Sequence, residues 1–166
     1  MTEIRWHARA GQGAKTAAQL LAEALLRAGK SVQAFPEYGP ERRGAPVRAY
    51  TRVSDRPIRR HDSITEPDVV VVLEPALVRE IDVTEGMPDD GVVLVAARET
   101  PRELAGRHVV CVPASGNVNV TLAAAAGALV GAQPRDVADA AVRLLGRKVP
   151  AESLRAAVEE GYACLS

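Results

Sequence analysis

"EIRWHARAGQGAKTAAQLLAEALLRAGKSVQAF", residues 3–35, passes from an extended pattern through two glycines into a helical pattern and then back to an extended one. Ala17, Leu20, Leu21, Ala24, Leu25 and Ala28 recur at three- and four-residue spacings, which predicts a helix from about Gln12 to Ala28 with one face against a sheet. Gly29 is a natural stop for it. Downstream, "DVVVVL" (68–73), "GVVLVA" (91–96) and "HVVCVP" (108–113) are nearly unbroken runs of β-formers, as in parallel strands covered on both faces. Helical patterns return at about Val118 to Val130, Arg135 to Leu144 and Ala151 to Ala163. The fold class is therefore α/β, a mostly parallel sheet with helices on both faces.

"PVRAYTRVSDRPIRR" (46–60) breaks the rule. Val47, Ala49 and Thr51 alternate with Arg48, Tyr50 and Arg52, and a Ser-Asp-Arg-Pro turn follows. A two-strand antiparallel excursion, a β-hairpin at a sheet edge, is expected here. With 166 residues and neither a linker nor an internal repeat, a single domain over 1–166 is the expectation.

Lys plus Arg and Asp plus Glu both number 21, so there is no general pull toward nucleic acid or an anionic membrane, and any anion site must be local. The longest apolar run, "VTLAAAAGALVGA", is too short for a membrane span and reads as a buried helix. No secretion signal is apparent, and a cytoplasmic protein is expected. Cys111 and Cys164 have no CxxC partner, which argues against a cluster or Cys-type zinc site built by this chain alone. Cys111 reads as a core residue. His61 and His108 lack metal-site spacing with carboxylates, so no metal is assigned.

The turn "GQGAKT" (11–16) aims free backbone N–H groups and the positive end of a helix dipole at one spot, an arrangement that suits phosphate. The strict nucleotide motifs fail. A Walker A loop would need glycine where Ala14 and Arg9 stand, and the dinucleotide fingerprint would need a third glycine at Thr16. Gly11 and Gly13 could equally serve only a tight turn and close packing. Lys15 favours an anion, because a first-turn lysine opposes the dipole. His7, next to the turn, reads as a packing or hydrogen-bonding residue, and no catalytic residue is assigned.

Between Phe35 and Val47 stand Pro36, Gly39, Pro40, Gly44 and Pro46, with Glu37 and Glu41 flanking Arg42 and Arg43. A loop carrying this many conformational locks is suited to presenting side chains to a ligand or partner.

"GQGAKTAAQLL" (11–21), "FPEYGPERRGAPVRAYTRVSDRPIR" (35–59), "PDVVVVLEPAL" (67–77) and "NVNVTLAAAAGAL" (117–129) together resemble the gamma subunit of the 2-oxoacid:ferredoxin oxidoreductases, the group that includes pyruvate synthase. The likeness covers nearly the whole chain, and the arginine-loop string is its most specific part. It implies a Rossmann-like domain in a complex that oxidatively decarboxylates a 2-oxoacid to an acyl-CoA. Thiamine diphosphate with magnesium and the 4Fe–4S clusters would lie in other subunits: the alpha and beta (thiamine-binding) subunits and a ferredoxin-like delta subunit, with soluble ferredoxin or another acceptor beyond them. Coenzyme A would be the ligand of this chain. Carried over by position, Gly11, Gln12, Gly13, Lys15 and Thr16 form the coenzyme-binding turn. Glu37, Tyr38, Glu41, Arg42, Arg43, Gly44 and Pro46 form the interface or ligand loop, while Asn117 and Asn119, with Thr121, serve either a site or the cap of their helix. Many relatives have glycine where Ala10 stands, and many separate gamma subunits carry an aliphatic residue at the Lys15 position. Two other readings stay open from the residues alone: a stand-alone nucleotide-binding domain, or a purely structural subunit with an empty glycine turn.

Overall fold

β1 (Thr2–Arg9) occupies an inner position in a six-stranded sheet because its alternate side chains satisfy two different environments. In the computed structural model, which describes residues 1–37 and 42–166, Ile4, Trp6 and Ala8 face an apolar helical layer. Arg5 and His7 point to the other side and are buried there as well. The remaining strands are β2 (Ser31–Pro36), β3 (Pro46–Ser54), β4 (Val69–Val72), β5 (Val92–Val95) and β6 (His108–Cys111). The helices are α1 (Ala14–Arg27), α2 (Val118–Leu129), α3 (Pro134–Leu145) and α4 (Ala151–Ala163). The strand order is β2-β3-β1-β4-β5-β6, with β1, β4, β5 and β6 successively parallel.

The antiparallel element expected over 46–60 is present, but as one strand inside the sheet. β3 pairs antiparallel with β1 on one side and β2 on the other, and residues 57–61 carry no strand. The hairpin is therefore β2–β3. Pro57 lacks the N–H that a continuing ladder would use. β3 tolerates an interior place because its charged side chains find partners. Arg52, fully buried, donates to Glu3 Oε1 at 2.7 Å, and its guanidinium lies 5.7 Å from the centre of the Phe35 ring.

All four α-helices contribute to one core with Trp6, Val71 and Leu94. On the opposite face, Val70, Val72, Val93 and Val95 pack beneath the short 3₁₀ helices Pro75–Arg79 and Arg102–Leu104, helped by Val83 and Met87. Helices thus lie on both faces, the second set much shorter. Cys111 is partly buried against this second cluster.

The alanine-rich run is a buried helix, as its composition suggested: Val120 through Gly127 of α2 are all buried. Its small side chains admit α4 closely. A Cβ placed on Gly161 of α4 would lie 2.3 Å from the Thr121 carbonyl oxygen, so only glycine allows this approach. Among the described residues, no helix is long and apolar enough to cross a membrane.

Candidate functional site

The parallel strands end at one edge of the sheet, where α/β folds commonly place ligands, and the glycine turn lies on that edge. Gly11 and Gly13 have φ of +91° and +85°, in the left-handed region that side-chain-bearing residues avoid. Gln12 staples the turn: its Oε1 accepts from the Arg9 N–H at 2.6 Å, and its Nε2 donates to Glu74 at 3.1 Å. Glu74 follows β4, so Gln12 ties the ends of β1 and β4. From β1 the chain first moves to β2 on one side and later to β4 on the other, making this the point where the strand order reverses.

Gly13 is the N-cap of α1 and offers no side-chain cap, while its carbonyl accepts from the Ala17 N–H at 2.9 Å. The N–H groups of Ala14, Lys15 and Thr16 therefore have no acceptor within the helix. No acidic side chain stands in the first turn to meet the positive end of the dipole.

In front of this turn is a cleft of about 620 Å³, with Arg9, Gly13, Lys15, Glu37, Val47 and Arg48 in its walls. Lys15 is exposed there. Arg9 is held by an ion pair to Glu80, so Lys15 and Arg48 are the cations with most freedom to meet a ligand. Among the described residues, Gln12 and Thr16 stand outside the cleft walls: Gln12 shapes the turn, and Thr16 is partly buried on α1.

The arginine loop returns to the same place. Ala10 N–H donates to the Ala45 carbonyl at 2.8 Å, Ala45 N–H to that of Arg42 at 2.9 Å, and Arg9 Nη1 to that of Gly44 at 3.3 Å. Arg42, Arg43, Gly44 and Pro46 are exposed beside the turn. Tyr38 and Glu41 lie outside the described residues. Asn119 is also brought in, since a Cβ on Gly13 would meet its Nδ2 at 2.6 Å. With Gln12, Leu73 and Asn117 it lines a neighbouring cleft of about 290 Å³.

Asn117 occupies the N-cap position of α2, but its side chain makes no capping bond; its carbonyl accepts from Val120 and Thr121 at 2.9 and 3.0 Å. Capping by that side chain is thus corrected, because its backbone has φ −68° and ψ 73°, not the extended conformation usual for a cap. Asn119 Oδ1 accepts the Val120 N–H at 3.0 Å instead. Thr121 is buried and donates to Glu160 at 3.3 Å, away from a ligand role. Sequence reasoning missed Arg9, Arg48, Glu74 and Glu80. For Arg48 the signal was present in the alternation of β3; the acidic partners come from loops distant in sequence.

His7 is fully buried, and its Nε2 accepts from Arg5 Nε at 3.1 Å. Arg5 Nη2 in turn donates to the carbonyls of Val83 and Glu85 at 2.9 and 2.7 Å. Burial, reinforced by the guanidinium groups of Arg5 and Arg48, pushes the His7 pKa down to about 3. The ring is neutral at physiological pH. An unfolded chain takes up this proton near a pKa of about 6.5. Between 6.5 and about 3 the unfolded state therefore binds more protons, and His7 lowers stability as the pH falls, by at most about 1.4 kcal/mol per pH unit. His7→Gln retains an acceptor for Arg5, and should narrow the stability difference between pH 7 and pH 4.5 in urea unfolding; an unchanged difference would argue against a neutral buried ring.

Among the described residues, no group of three or more His, Cys, Asp or Glu is arranged to hold a metal ion.

The family model for pyruvate ferredoxin/flavodoxin oxidoreductase matches residues 3–164. The chain belongs to this family. It is 56% identical over 104 residues to the pyruvate/ketoisovalerate oxidoreductases common subunit gamma of Pyrococcus abyssi, a match covering 63% of this chain and 56% of that protein. The chain thus spans little more than half the length of the curated relatives it matches. The crystal structure of pyruvate oxidoreductase subunit PORC from Thermotoga maritima superposes with a TM-score of 0.79 at 34% identity, covering 98% of this chain and 95% of that one. The 2-oxoglutarate:ferredoxin oxidoreductase of Magnetococcus marinus, solved with 2-oxoglutarate, coenzyme A and succinyl-CoA bound, shares the fold over 30% of its chain, with a TM-score of 0.79 and 16% identity.

Proposed function

We propose that this chain is the gamma subunit of a thiamine-diphosphate-dependent 2-oxoacid:ferredoxin (acceptor) oxidoreductase, a single domain that supports coenzyme A binding and subunit assembly. The observation that carries the reading is the cleft of about 620 Å³ at the uncapped start of α1, with Lys15 and Arg48 in its walls. Its volume lies within the usual range for small-ligand sites. Backbone N–H groups and Lys15 offer charge-assisted donors to a coenzyme A phosphate. Arg42, Arg43, Gly44 and Pro46 are exposed beside this cleft, and this supports a role in meeting the thiamine-binding partner, with Arg42 or Arg43 pairing across the interface or reaching the ligand.

Thiamine diphosphate, magnesium and 4Fe–4S clusters would be held by the alpha, beta and ferredoxin-like delta subunits, and would there supply decarboxylation and one-electron transfer to ferredoxin. This chain's own work is to bind and orient. Gly11 and Gly13 shape the turn, Gln12 fixes it against Glu74, and Lys15 neutralises phosphate charge. A cytoplasmic complex fits this assignment.

Co-expression with alpha, beta and delta subunits should give coenzyme A-dependent reduction of an acceptor by a 2-oxoacid, and omission of this chain should abolish it. In that complex Lys15→Ala should raise the KM for coenzyme A by roughly tenfold, the worth of one charged hydrogen bond, and leave the KM for the 2-oxoacid unchanged. Full activity without the chain would sink the assignment; an unaltered coenzyme A requirement would remove Lys15 from the site.

A further inference from the structure

Arg48 lines the cleft beside the glycine turn and also a second cleft of about 450 Å³, whose walls include Arg5, Tyr50 and Glu85. Its backbone is fixed: it stands opposite His7 in the β1–β3 ladder, and its carbonyl accepts from the Glu37 N–H at 3.0 Å. Its charge is less well met. Among the described residues its ion-pair partner is Glu37, at 3.8 Å, with side chains 32% and 42% exposed respectively. Burial first, and then the nearby Arg48 guanidinium, lower the proton affinity of Arg5; burial, Arg5 and Arg48, in that order, lower that of His7. A long, half-exposed ion pair among other cations contributes little to folding, and leaves a planar guanidinium ready for an anion of better geometry.

We infer that Arg48 reads a second phosphate on the ligand whose first phosphate group sits at the start of α1, and that Glu37 is the counter-ion it gives up on binding. The inference rests on the coenzyme A reading and adds to it the group recognised, the ribose 3′-phosphate. Coenzyme A carries two separated anionic groups, a pyrophosphate and that 3′-phosphate. The cleft likewise offers two cationic points on separate elements, Lys15 with the α1 N–H groups, and Arg48 on β3. A ligand lacking the 3′-phosphate leaves Arg48 with Glu37.

The test is calorimetric titration of the full chain with coenzyme A and with 3′-dephospho-coenzyme A. The wild-type chain should prefer coenzyme A by about tenfold. Arg48→Gln should erase the preference by weakening coenzyme A alone, Arg48→Lys should keep part of it, and Glu37→Gln should tighten coenzyme A. Arg48 and Glu37 are both partly exposed, and thermal melts of the three variants check that each is folded. Equal wild-type affinities, or an Arg48→Gln variant that weakens both ligands alike, would overturn the role of Arg48 while leaving coenzyme A as the ligand. If the wild-type chain binds neither compound, the coenzyme A reading itself fails and the inference falls with it.

Discussion

Trp6→Ala should cost about 3–5 kcal/mol of folding stability, a large share of the roughly 5–15 kcal/mol that holds a typical domain together. Trp6 is fully buried on β1 and faces the layer formed by α1 and the other α-helices. Its indole N–H donates to Thr51 Oγ1 at 3.0 Å, and that hydroxyl donates to the Ala18 carbonyl of α1 at 3.2 Å. One side chain thus joins β1, β3 and α1, the three elements that carry the cleft. Truncation leaves a cavity and breaks the chain of hydrogen bonds. Trp6→Phe fills most of the volume but leaves Thr51 without its donor, so it should fall between the wild type and the alanine variant. Urea unfolding followed by circular dichroism reads this series, since Trp6 is the only tryptophan and its fluorescence is lost with the substitution. A loss below about 1 kcal/mol for Trp6→Ala would mean that the surrounding helices collapse into the space.

On the proposal that the cleft holds coenzyme A, Gly13→Val should reduce affinity for it by about a hundredfold, the worth of one or two hydrogen bonds to a charged group. Two causes act together. A β-branched residue resists φ near +85°, and its Cβ would meet Asn119 Nδ2 at 2.6 Å. Asn119 can swing aside, because the atom met is the end of a side chain. The backbone cannot relax without turning the Ala14 and Lys15 N–H groups away from the cleft. Consequently Gly13→Val combined with Asn119→Ala should recover little of the lost affinity. Recovery to near the wild-type value would show that the contact with Asn119, and not the turn's conformation, was the constraint.

Element type was legible in the sequence wherever local pattern and tertiary environment agree. The helical spacing of Ala17, Leu20, Leu21, Ala24 and Leu25 corresponds to residues that are all buried on α1. The Val runs at 69–72 and 92–95 are strands with apolar packing on both faces. The limits of α4, Ala151–Ala163, match those expected from periodicity. The same agreement failed at β3. Its alternation of apolar and charged residues looks like a strand with one face in water, yet Tyr50 and Arg52 are buried. Alternation records that two faces differ; it does not record that Glu3, Phe35 and Asp62 come from elsewhere to satisfy the charged one.

The turn at Gly11–Gly13, with Lys15 after it, was evident from residue order alone, since glycine marks the left-handed backbone and the first helical turn follows by geometry. Sequence order also set the identity of the elements that meet there and the family to which they belong. The composition of the cleft depended on the folded sheet. Arg48 and Glu37 lie 11 positions apart and face one another because β2 and β3 pair antiparallel. Asn119 reaches Gly13 because α2 packs beside α1 at the same edge. Gln12 finds Glu74 because β4 lies next to β1 and not next to β3. These meetings follow from strand order, and strand order follows from which faces can be buried together, a property of the assembled chain and of no short segment within it.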